Sequence, residues 1–393
     1  MNTDALTRIR CSVVRGGTSR GVFFTVDDLP AAPQDRERIL LRVLGSPDIR
    51  QIDGLGGASS QTSKVAIIGP ASRPDADVDY TFGQVSIGQP TVDWGGNCGN
   101  LSSAVGPFVI DRGLVRVTGP VTTVRIHNTN TGKLIVAQVP TADGHAAQEG
   151  EHRIPGVPGT GARILLDFRD PAGSYASSIL PTGNVRDEMR LDDGRTLEVS
   201  LVDAANPVVF VRAADLGFTG AELPPKIEAR TGATATLEEI RSIAATWLGI
   251  VQDASDATHL TPGLPKVGFV AAPMGYTTTT GESVTADQMD LVGRMMSMQT
   301  AHRSYMVTGA ICTAAAAFLP GTLVHEAMRP ASERPDAAEI RIGNPYGVMV
   351  ARVDAREGGT IRGVTVDRTA RHIMEGEVLV PTSVVSPPMA QRA

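Results

Sequence analysis

Short apolar segments rich in β-branched and aromatic residues recur along the 393-residue chain, broken by Gly, Pro, Asn and Asp. This pattern predicts many short strands joined by tight turns. In the first half the predicted strands are residues 12–14, 21–26, 65–68, 80–87, 121–127 and 133–139. In the second half they are residues 197–202, 208–212, 266–271, 339–342, 348–353 and 360–368.

Five segments show helical patterning instead. Two of them, 99–112 and 310–319, are apolar on nearly all sides, which predicts helices enclosed by sheet rather than lying on a surface. The other three carry ordinary start or stop signals: 35–44 ends at Gly45, while 237–248 and 286–299 follow the capping-box pairs Thr236/Glu239 and Thr285/Gln288. Strands and helices together predict an α+β protein.

A weak duplication relates the two halves of the chain. The segment Cys11-Ser-Val-Val-Arg15 before an apolar strand resembles Val199-Ser-Leu-Val-Asp203, and each half later reaches a cysteine in a small-residue apolar helix, Cys98 and Cys312. We therefore expect two pseudo-equivalent domains, each with a sheet rolled around one buried helix. Both helix N-termini would then face an interdomain cleft, a common place for a ligand.

Composition excludes several classes of function. The formal net charge is −6 and no run of Lys or Arg occurs, which argues against a nucleic-acid or anionic-membrane surface. Three cysteines, far apart and odd in number, fit free thiols in a reducing compartment. Residues 1–10 lack the apolar core of a signal peptide, and the longest apolar run is too short to span a bilayer. These features predict a cytoplasmic enzyme.

The segment Asn97-Cys98-Gly99-Asn100 places a thiol where a helix is predicted to begin. Unpaired N–H groups in a first helical turn favour a thiolate and also offer donors to a substrate carboxylate. This one motif can supply both an acid/base group and an anion cradle.

Lys64 is one of only four lysines, with Lys133, Lys226 and Lys266. It stands between a loop rich in Gly, Ser and Thr and a β-branched strand, so its amine is a candidate for desolvation. The loop lacks the Gly-Lys-Ser/Thr order of a phosphate-binding loop, and His325-Glu326-Ala-Met-Arg329 lacks the second histidine of a zinc motif. Neither a nucleotide nor a metal is expected.

Several motifs together resemble the PrpF family over nearly the whole chain. They are Arg15-Gly-Gly-Thr-Ser-Arg-Gly21, Gly45-Ser-Pro-Asp48, Gln51-Ile-Asp-Gly-Leu-Gly-Gly57, Thr62-Ser-Lys64, Asp77-Val-Asp-Tyr80, Asn97-Cys-Gly-Asn100, Leu180-Pro-Thr-Gly-Asn184 and Pro320-Gly-Thr-Leu323. The resemblance implies the diaminopimelate epimerase-like fold. It also implies an isomerase that needs no cofactor or metal and acts on unsaturated polycarboxylates, with Lys64 and Cys98 as the catalytic residues.

The chemistry of such an isomerase suits an amine and a thiol. Removing an allylic proton creates a dienolate, whose charge spreads into a carboxylate, and reprotonation or bond rotation gives the isomer. A lysine can act as the base when its pKa falls to about 7–8, and a thiol can return the proton. The residues expected to bind the carboxylates are Arg15, Ser19, Thr62, Ser63, Asn97, Gly99, Asn100 and His302. Asn206 is equally explained by packing.

Cys312 has two readings. It is a candidate second acid/base, because epimerases of this fold use two cysteines across the cleft, but packing of a buried helix explains it equally well. Cys11 is expected in the core.

Substrate and organisation stay open between alternatives. The motifs favour 2-methylaconitate cis-trans isomerisation, in the propionate/2-methylcitrate pathway; the alternatives are a 4-oxalomesaconate tautomerase, an aconitate or methylitaconate Δ-isomerase, an amino-acid racemase, and a non-catalytic partner of an aconitase-like dehydratase. A homodimer is expected from the fold group. The predicted domains are residues 1–184, completed by 375–393, and residues 185–374, with the active site between them.

Overall fold

The computed structural model describes residues 6–356 and 360–385. Its strands are β1 (Leu6–Gly16), β2 (Ser19–Thr25), β3 (Lys64–Pro70), β4 (Val78–Val85), β5 (Val92–Asp93), β6 (Val121–Asn128), β7 (Lys133–Ala142), β8 (His145–Ala146), β9 (Ile164–Arg169), β10 (Asp187–Arg190), β11 (Thr196–Ala204), β12 (Asn206–Arg212), β13 (Lys266–Ala271), β14 (Tyr276–Thr277), β15 (Ser283–Val284), β16 (Leu291–Ser297), β17 (Thr300–Ala301), β18 (Glu339–Asn344), β19 (Gly347–Ala355), β20 (Ile361–Arg368) and β21 (Ala370–Pro381). The α-helices are α1 (Pro33–Leu44), α2 (Gly99–Asp111), α3 (Pro224–Ala229), α4 (Ala233–Trp247), α5 (Ala257–Leu260), α6 (Val307–Ala317), α7 (Leu323–Ala327) and α8 (Thr382–Val385).

Every predicted strand overlaps an observed one, and the prediction for β13 matches its bounds. The predicted helices 35–44, 99–112 and 310–319 correspond to α1, α2 and α6. The prediction of 237–248 starts too late, because α4 begins at Ala233 after Gly232 rather than at the Thr236/Glu239 pair.

The predicted helix 286–299 is wrong. Its capping box does form, between Thr285 and Gln288, but it closes only a short 3-10 turn, Ala286–Gln288. The following residues form β16, which lies between β13 and β18 and is buried along its whole length. A strand covered on both faces has no polar alternation, so its sequence cannot be distinguished from that of a buried helix by periodicity.

The sheet repeats one pairing scheme twice. In the first half the strands pair in the order β1, β2, β3, β4, β6, β7 and β9. The first pair is antiparallel, and the pairs then alternate between parallel and antiparallel as far as β6 with β7. The last pair, β7 with β9, is antiparallel as well. In the second half β11, β12, β13, β16, β18, β19 and β20 pair with the same directions. The antiparallel pair β9 and β20 joins the two halves. The predicted duplication is therefore present in the topology.

The strand registers also align the halves residue by residue. Lys64 begins β3 and Lys266 begins β13. The residue two positions after Lys64 pairs with Phe23, and the residue two positions after Lys266 pairs with Phe210. Phe23 and Phe210 lie opposite the serines of the duplicated sequence segments. Lys64 and Lys266 thus occupy equivalent positions.

Helices α2 and α6 are the two central helices. Nearly every residue of each is buried, and they share one hydrophobic core with the inner faces of both halves. Helices α1 and α4 cover the outer faces over separate cores. This arrangement brings the N-termini of α2 and α6 together at the junction of the halves.

The end of the described chain returns to the first half. Strand β21 pairs along its whole length with β1, and the predicted completing segment, which starts at residue 375, begins within this strand. Residues 386–393 of the predicted completing segment lie outside the described residues, and the division at residue 184 stays a prediction. Over the described ranges, no helix is long and apolar enough to cross a membrane.

Candidate active site

A small cavity, partly open to solvent, lies where the two halves meet. Clefts at such junctions are common places for small-molecule sites. The wall is built from equivalent positions of the duplication, taken from the strand registers and the helix starts: Ser19 and Asn206, Lys64 and Lys266, Gln84 and Ser297, Cys98 and Met306, Gly99 and Val307, Asn100 and Thr308.

Cys98 occupies the N-cap position of α2, with extended backbone angles, φ −112° and ψ 95°. Met306 holds the equivalent position before α6. Neither helix has a side-chain cap, so the first-turn N–H groups of both are left to bind a ligand oxygen. Two helix N-termini facing one cavity create a positive potential suited to carboxylates.

Lys64 enters the same cavity from the first residue of β3. Its Nζ donates a hydrogen bond to Gln84 Oε1 at 2.5 Å and lies 5.1 Å from the centre of the Phe82 ring. Burial lowers the pKa of Lys64 below its usual value, and the neighbouring Cys98 thiol partly opposes this by favouring the charged amine. A buried amine beside a thiol is an arrangement that can move protons.

Gln84 is itself held in one orientation. Its Nε2 donates to the Ser63 carbonyl at 2.8 Å and to the Ser60 carbonyl at 3.2 Å, so its Oε1 must face Lys64. The loop before β3 therefore positions the lysine indirectly, through the glutamine.

His302 lies in the cavity wall and is almost fully buried. Its Nδ1 accepts a hydrogen bond from the Ser304 N–H at 3.1 Å. Burial lowers the pKa of His302 to about 4, so the imidazole is neutral at pH 7. With Nδ1 accepting, Nε2 carries the proton and is the donor available to a ligand.

The structure brings most of the predicted site residues together. Those that line the cavity are Ser19, Lys64, Asn97, Cys98, Gly99, Asn100 and His302. Their proximity follows from the fold rather than from chain distance, because β2, β3 and α2 all begin at the junction of the halves, and the segment before α6 ends there.

Three predicted ligand residues point elsewhere. Arg15 Nη1 donates to the Thr369 and Gly17 carbonyls, at 2.9 and 3.0 Å, and so holds the turn after β1. Thr62 bonds to Ser59 within its own loop. Ser63 Oγ is fully buried and donates to the Val85 carbonyl at 2.8 Å. All three side chains stabilise the loops around the cavity and do not line it.

Cys312 also lies away from the cavity. It sits in the middle of α6, completely buried, where its thiol donates to the Val202 carbonyl at 3.2 Å. Burial raises its pKa far above the usual value. In the second half the residue at the position of Cys98 is Met306, which precedes α6 as Cys98 precedes α2. The alignment of Cys98 with Cys312 in the sequence analysis was therefore wrong.

Several cavity residues were missed from the sequence: Gln84, Asp93, Lys266 and Thr308, while Asn206 was left undecided. The sequence did contain one signal for Lys266. Lys64-Val-Ala-Ile-Ile and Lys266-Val-Gly-Phe-Val are two of the few places where a lysine opens an apolar strand, and they occur in the two duplicated halves. The others carry no local signal, because only the folded registers bring them to the cavity.

Comparison with known proteins identifies the family. The model of the family described as PrpF protein matches residues 6–381. The chain belongs to the PrpF family. It is 46% identical to 3-methylitaconate isomerase of Eubacterium barkeri, over 95% of this chain and 97% of that protein. It is 39% identical to 2-methyl-aconitate isomerase of Cupriavidus necator (95% and 97%) and 40% identical to 4-oxalomesaconate tautomerase of Pseudomonas putida (95% and 96%).

Solved structures agree with this assignment. A crystal structure of methylitaconate-delta-isomerase superposes with a TM-score of 0.80 at 44% identity, covering 98% of both chains. A hydroxyproline epimerase from Agrobacterium vitis superposes with a TM-score of 0.53 at 13% identity, covering 95% of this chain and 93% of the other, which shows a shared fold alone. This PrpF-family protein therefore has the predicted epimerase-like α+β fold, and it is an isomerase.

Proposed function

We propose that this isomerase moves a proton between allylic positions of a small unsaturated di- or tricarboxylate, with Lys64 and Cys98 as the acid/base pair and without a cofactor. The observation that carries the proposal is the buried Lys64 amine beside the Cys98 thiol, in a cavity that two uncapped helix N-termini face. An amine, a thiol and a carboxylate cradle are the groups that the reaction needs.

In the proposed reaction the neutral Lys64 amine takes a proton from the carbon allylic to the double bond. The electron pair of that C–H bond moves into a dienolate, whose oxygen charge is met by first-turn N–H groups of α2 and α6. The Cys98 thiol then gives a proton to a different carbon, or to the same carbon after bond rotation. The proton on the Lys64 ammonium finally replaces the one lost by Cys98, which restores the starting state.

Two acids head the list of substrates. The sequence motifs favour 2-methylaconitate, and the relative of higher identity favours a methylitaconate. 4-Oxalomesaconate remains an alternative through a relative at 40% identity. An amino-acid racemase is disfavoured, because the position equivalent to Cys98 holds Met306, which cannot exchange a proton.

The test is proton NMR in D2O with each acid separately, after dialysis of the protein against EDTA. The wild type, Lys64→Met and Cys98→Ala are compared. We expect the wild type to isomerise one acid and to incorporate deuterium. Lys64→Met should lose both isomerisation and exchange, whereas Cys98→Ala should lose isomerisation but keep exchange at the carbon that Lys64 deprotonates.

Three results count against parts of the proposal. Exchange retained in Lys64→Met and lost in Cys98→Ala would reverse the two roles. Activity abolished by EDTA and restored by a metal would refute cofactor independence. Pathway flux restored by the Lys64→Ala/Cys98→Ala double variant would favour a non-catalytic partner of a dehydratase.

The proposal includes the cellular location of the enzyme. Its three cysteines are unpaired, which suits a reducing cytoplasm. Association as a homodimer and a functional link to an aconitase-like dehydratase stay predictions, which gel filtration and gene-replacement experiments address.

A further inference from the structure

The inner face of strand β4 carries a row of alternate side chains, Gln84, Phe82 and Tyr80. Side chains two positions apart lie on the same face of a strand. The first two of them contact Lys64, because Gln84 Oε1 accepts a hydrogen bond from Nζ at 2.5 Å and the Phe82 ring centre lies 5.1 Å from Nζ. Tyr80 is the next in the row, and it is completely buried in the core that surrounds α2.

The Tyr80 hydroxyl has no hydrogen-bond partner among the residues that the structure describes. An unpaired buried donor costs stability, so such a group needs an explanation. Two side chains at the start of α2 act on this hydroxyl. Burial and the Cys98 thiol raise the pKa of Tyr80 well above its usual value, and Ser102 opposes the shift although no hydrogen bond joins the two hydroxyls. Tyr80 is therefore a neutral O–H donor near Cys98.

The second half of the duplication contains a buried tyrosine hydroxyl that is paired. The strand registers place Gly293 at the position equivalent to Tyr80. A Cβ on Gly293 would lie 2.7 Å from the Tyr305 hydroxyl, so this hydroxyl fills the space beside it. It lies 2.9 Å from Thr313 Oγ1 on α6, and Thr313 donates its own proton to the Gly309 carbonyl, so the tyrosine is the donor. The unpaired hydroxyl thus occurs in the half that carries the cavity thiol.

We infer that the Tyr80 hydroxyl donates a hydrogen bond to the Cys98 thiolate that forms when Cys98 gives up its proton, and so makes Cys98 a stronger acid. The inference deepens the proposed function and rests on it for the role of Cys98. A thiol sulfur is a weak acceptor, whereas a thiolate is an anion and a strong one. The donor is thus in place before the charge develops, which is how preorganised groups stabilise a transition state. Tyr80 does not line the cavity, so it is a positioning residue that acts through Cys98.

Other groups also act on the charge of Cys98. Lys64 on β3 and Lys266 on β13 both interact with it. Asp93 and His302 line the same cavity, and burial lowers the pKa of His302 to about 4, so this imidazole is neutral at pH 7. Replacing the tyrosine with phenylalanine changes none of these charges. A change in the ionisation of the thiol then reports the loss of the hydroxyl.

The experiment removes this one oxygen atom from the full-length protein. The rate at which iodoacetamide labels Cys98 is measured as a function of pH in the wild type and in Tyr80→Phe. We expect the pH of half-maximal labelling rate to rise by about 1 in the variant, a tenfold change in the equilibrium between thiol and thiolate and the scale of one hydrogen bond to a charged group. The ultraviolet absorbance of the thiolate, with each protein measured against its own Cys98→Ala counterpart, gives the same midpoint without a reagent.

Unfolding and turnover separate this role from a structural one. Tyr80→Phe should keep or raise the urea midpoint of unfolding, because it deletes a hydroxyl that has no partner in the resting protein. It should lower kcat by about tenfold at most, since acid catalysis follows the strength of the acid, and should leave KM nearly unaltered. Tyr305→Phe is the matched control. It removes the same atom from a paired hydroxyl, so it should lower the unfolding midpoint and leave Cys98 labelling and kcat in place.

The outcomes distinguish this inference from the proposed function. A labelling midpoint that does not rise in Tyr80→Phe, an unaltered kcat, or a loss of stability as large as that of Tyr305→Phe would overturn the inference alone. A Cys98 that forms no thiolate by either measurement would overturn both the inference and the acid role of Cys98. A raised midpoint in a protein that isomerises no unsaturated acid would overturn the proposed function and leave the link between Tyr80 and Cys98 standing.

Discussion

Asn206 forms two hydrogen bonds with the backbone of Asn97, the residue before Cys98. Its Oδ1 accepts from Asn97 N–H at 3.1 Å, and its Nδ2 donates to the Asn97 carbonyl at 3.0 Å. Nδ2 also donates to Thr308 Oγ1 at 3.1 Å, in the first turn of α6. One buried amide of the second half therefore fixes the segment that carries Cys98 relative to both central helices.

Replacing Asn206 with Ala should lower both stability and turnover. The change leaves the buried Asn97 N–H and carbonyl without partners, which costs about 1–3 kcal/mol for each group. Asn206→Asp keeps the acceptor but loses the donor, so it should fall between Ala and the wild type in urea unfolding. Replacement of the exposed Asn184 by Ala serves as the control. Wild-type kcat in Asn206→Ala would show that the amide does not position Cys98.

The close approach of the two central helices depends on Gly99. A Cβ at this position would lie 2.5 Å from Val307 Cγ1, closer than side chains pack. Gly99→Ala should therefore cost about 1–3 kcal/mol of unfolding free energy, the usual range for overpacking, and lower kcat by separating the helix N-termini. The double variant Gly99→Ala/Val307→Gly should recover much of both.

Gly119→Ala provides the matched control for Gly99→Ala. No atom lies within 4 Å of a Cβ built at Gly119, so this change should leave unfolding and kcat unaltered. A Gly99→Ala variant that behaves like Gly119→Ala in both measurements would mean that the helices adjust freely at this contact.

The sequence predicted the fold better than the cavity wall, for physical reasons. Strands such as β13 and helices such as α2 are signalled by local residue preference, which the sequence shows directly. Strand β16 is buried on both faces, so polar and apolar residues do not alternate along it, and its sequence was mistaken for that of a helix. Buried strands and buried helices differ in their partners, and partners are not visible in a single sequence.

The candidate site shows the same contrast between local features, which the sequence contains, and contacts, which it does not show. Cys98 and Lys64 were placed at the site by the family resemblance, together with two local features, a thiol at a helix start and a lysine at a strand start. Arg15 and Ser63 were predicted as ligands because their residue types suit anions, yet both donate to backbone carbonyls that hold loops. Lys266 was overlooked because its place opposite Lys64 follows from strand register.

Gln84→Glu should move the pH dependence of activity upward. A carboxylate in place of the Gln84 amide would face the Lys64 amine and favour its charged form, and a close opposite charge typically raises the pKa of an amine by about 1–3. Burial sets the wild-type pKa of Lys64 below its usual value, and the proposed base is the neutral amine, so kcat/KM should rise with pH through that pKa. In Gln84→Glu the rise should occur at higher pH, and activity at pH 7 should fall about tenfold for every pH unit by which the profile moves.

The control for this change is Gln34→Glu, which makes the same replacement at an exposed position of α1. It should leave the pH profile of kcat/KM in place. A profile for Gln84→Glu that stays where the wild-type profile lies, or moves to lower pH, would contradict the assignment of Lys64 as the group that must lose its proton.

The three thiols should differ sharply in reactivity. Cys98 lines the cavity, whereas Cys11 and Cys312 are completely buried. Burial raises the pKa of Cys11 to about 11 and that of Cys312 still further, so neither forms a thiolate near pH 8. Iodoacetamide at pH 8 should therefore label native protein at Cys98 alone, as read by peptide mass spectrometry. Tricarballylate, a saturated tricarboxylate that has no allylic proton, should slow the labelling by occupying the cavity. Cys312→Ala should keep wild-type turnover and lose only stability. Labelling of Cys312 in native protein, or loss of turnover in a folded Cys312→Ala variant, would make Cys312 a candidate acid/base again.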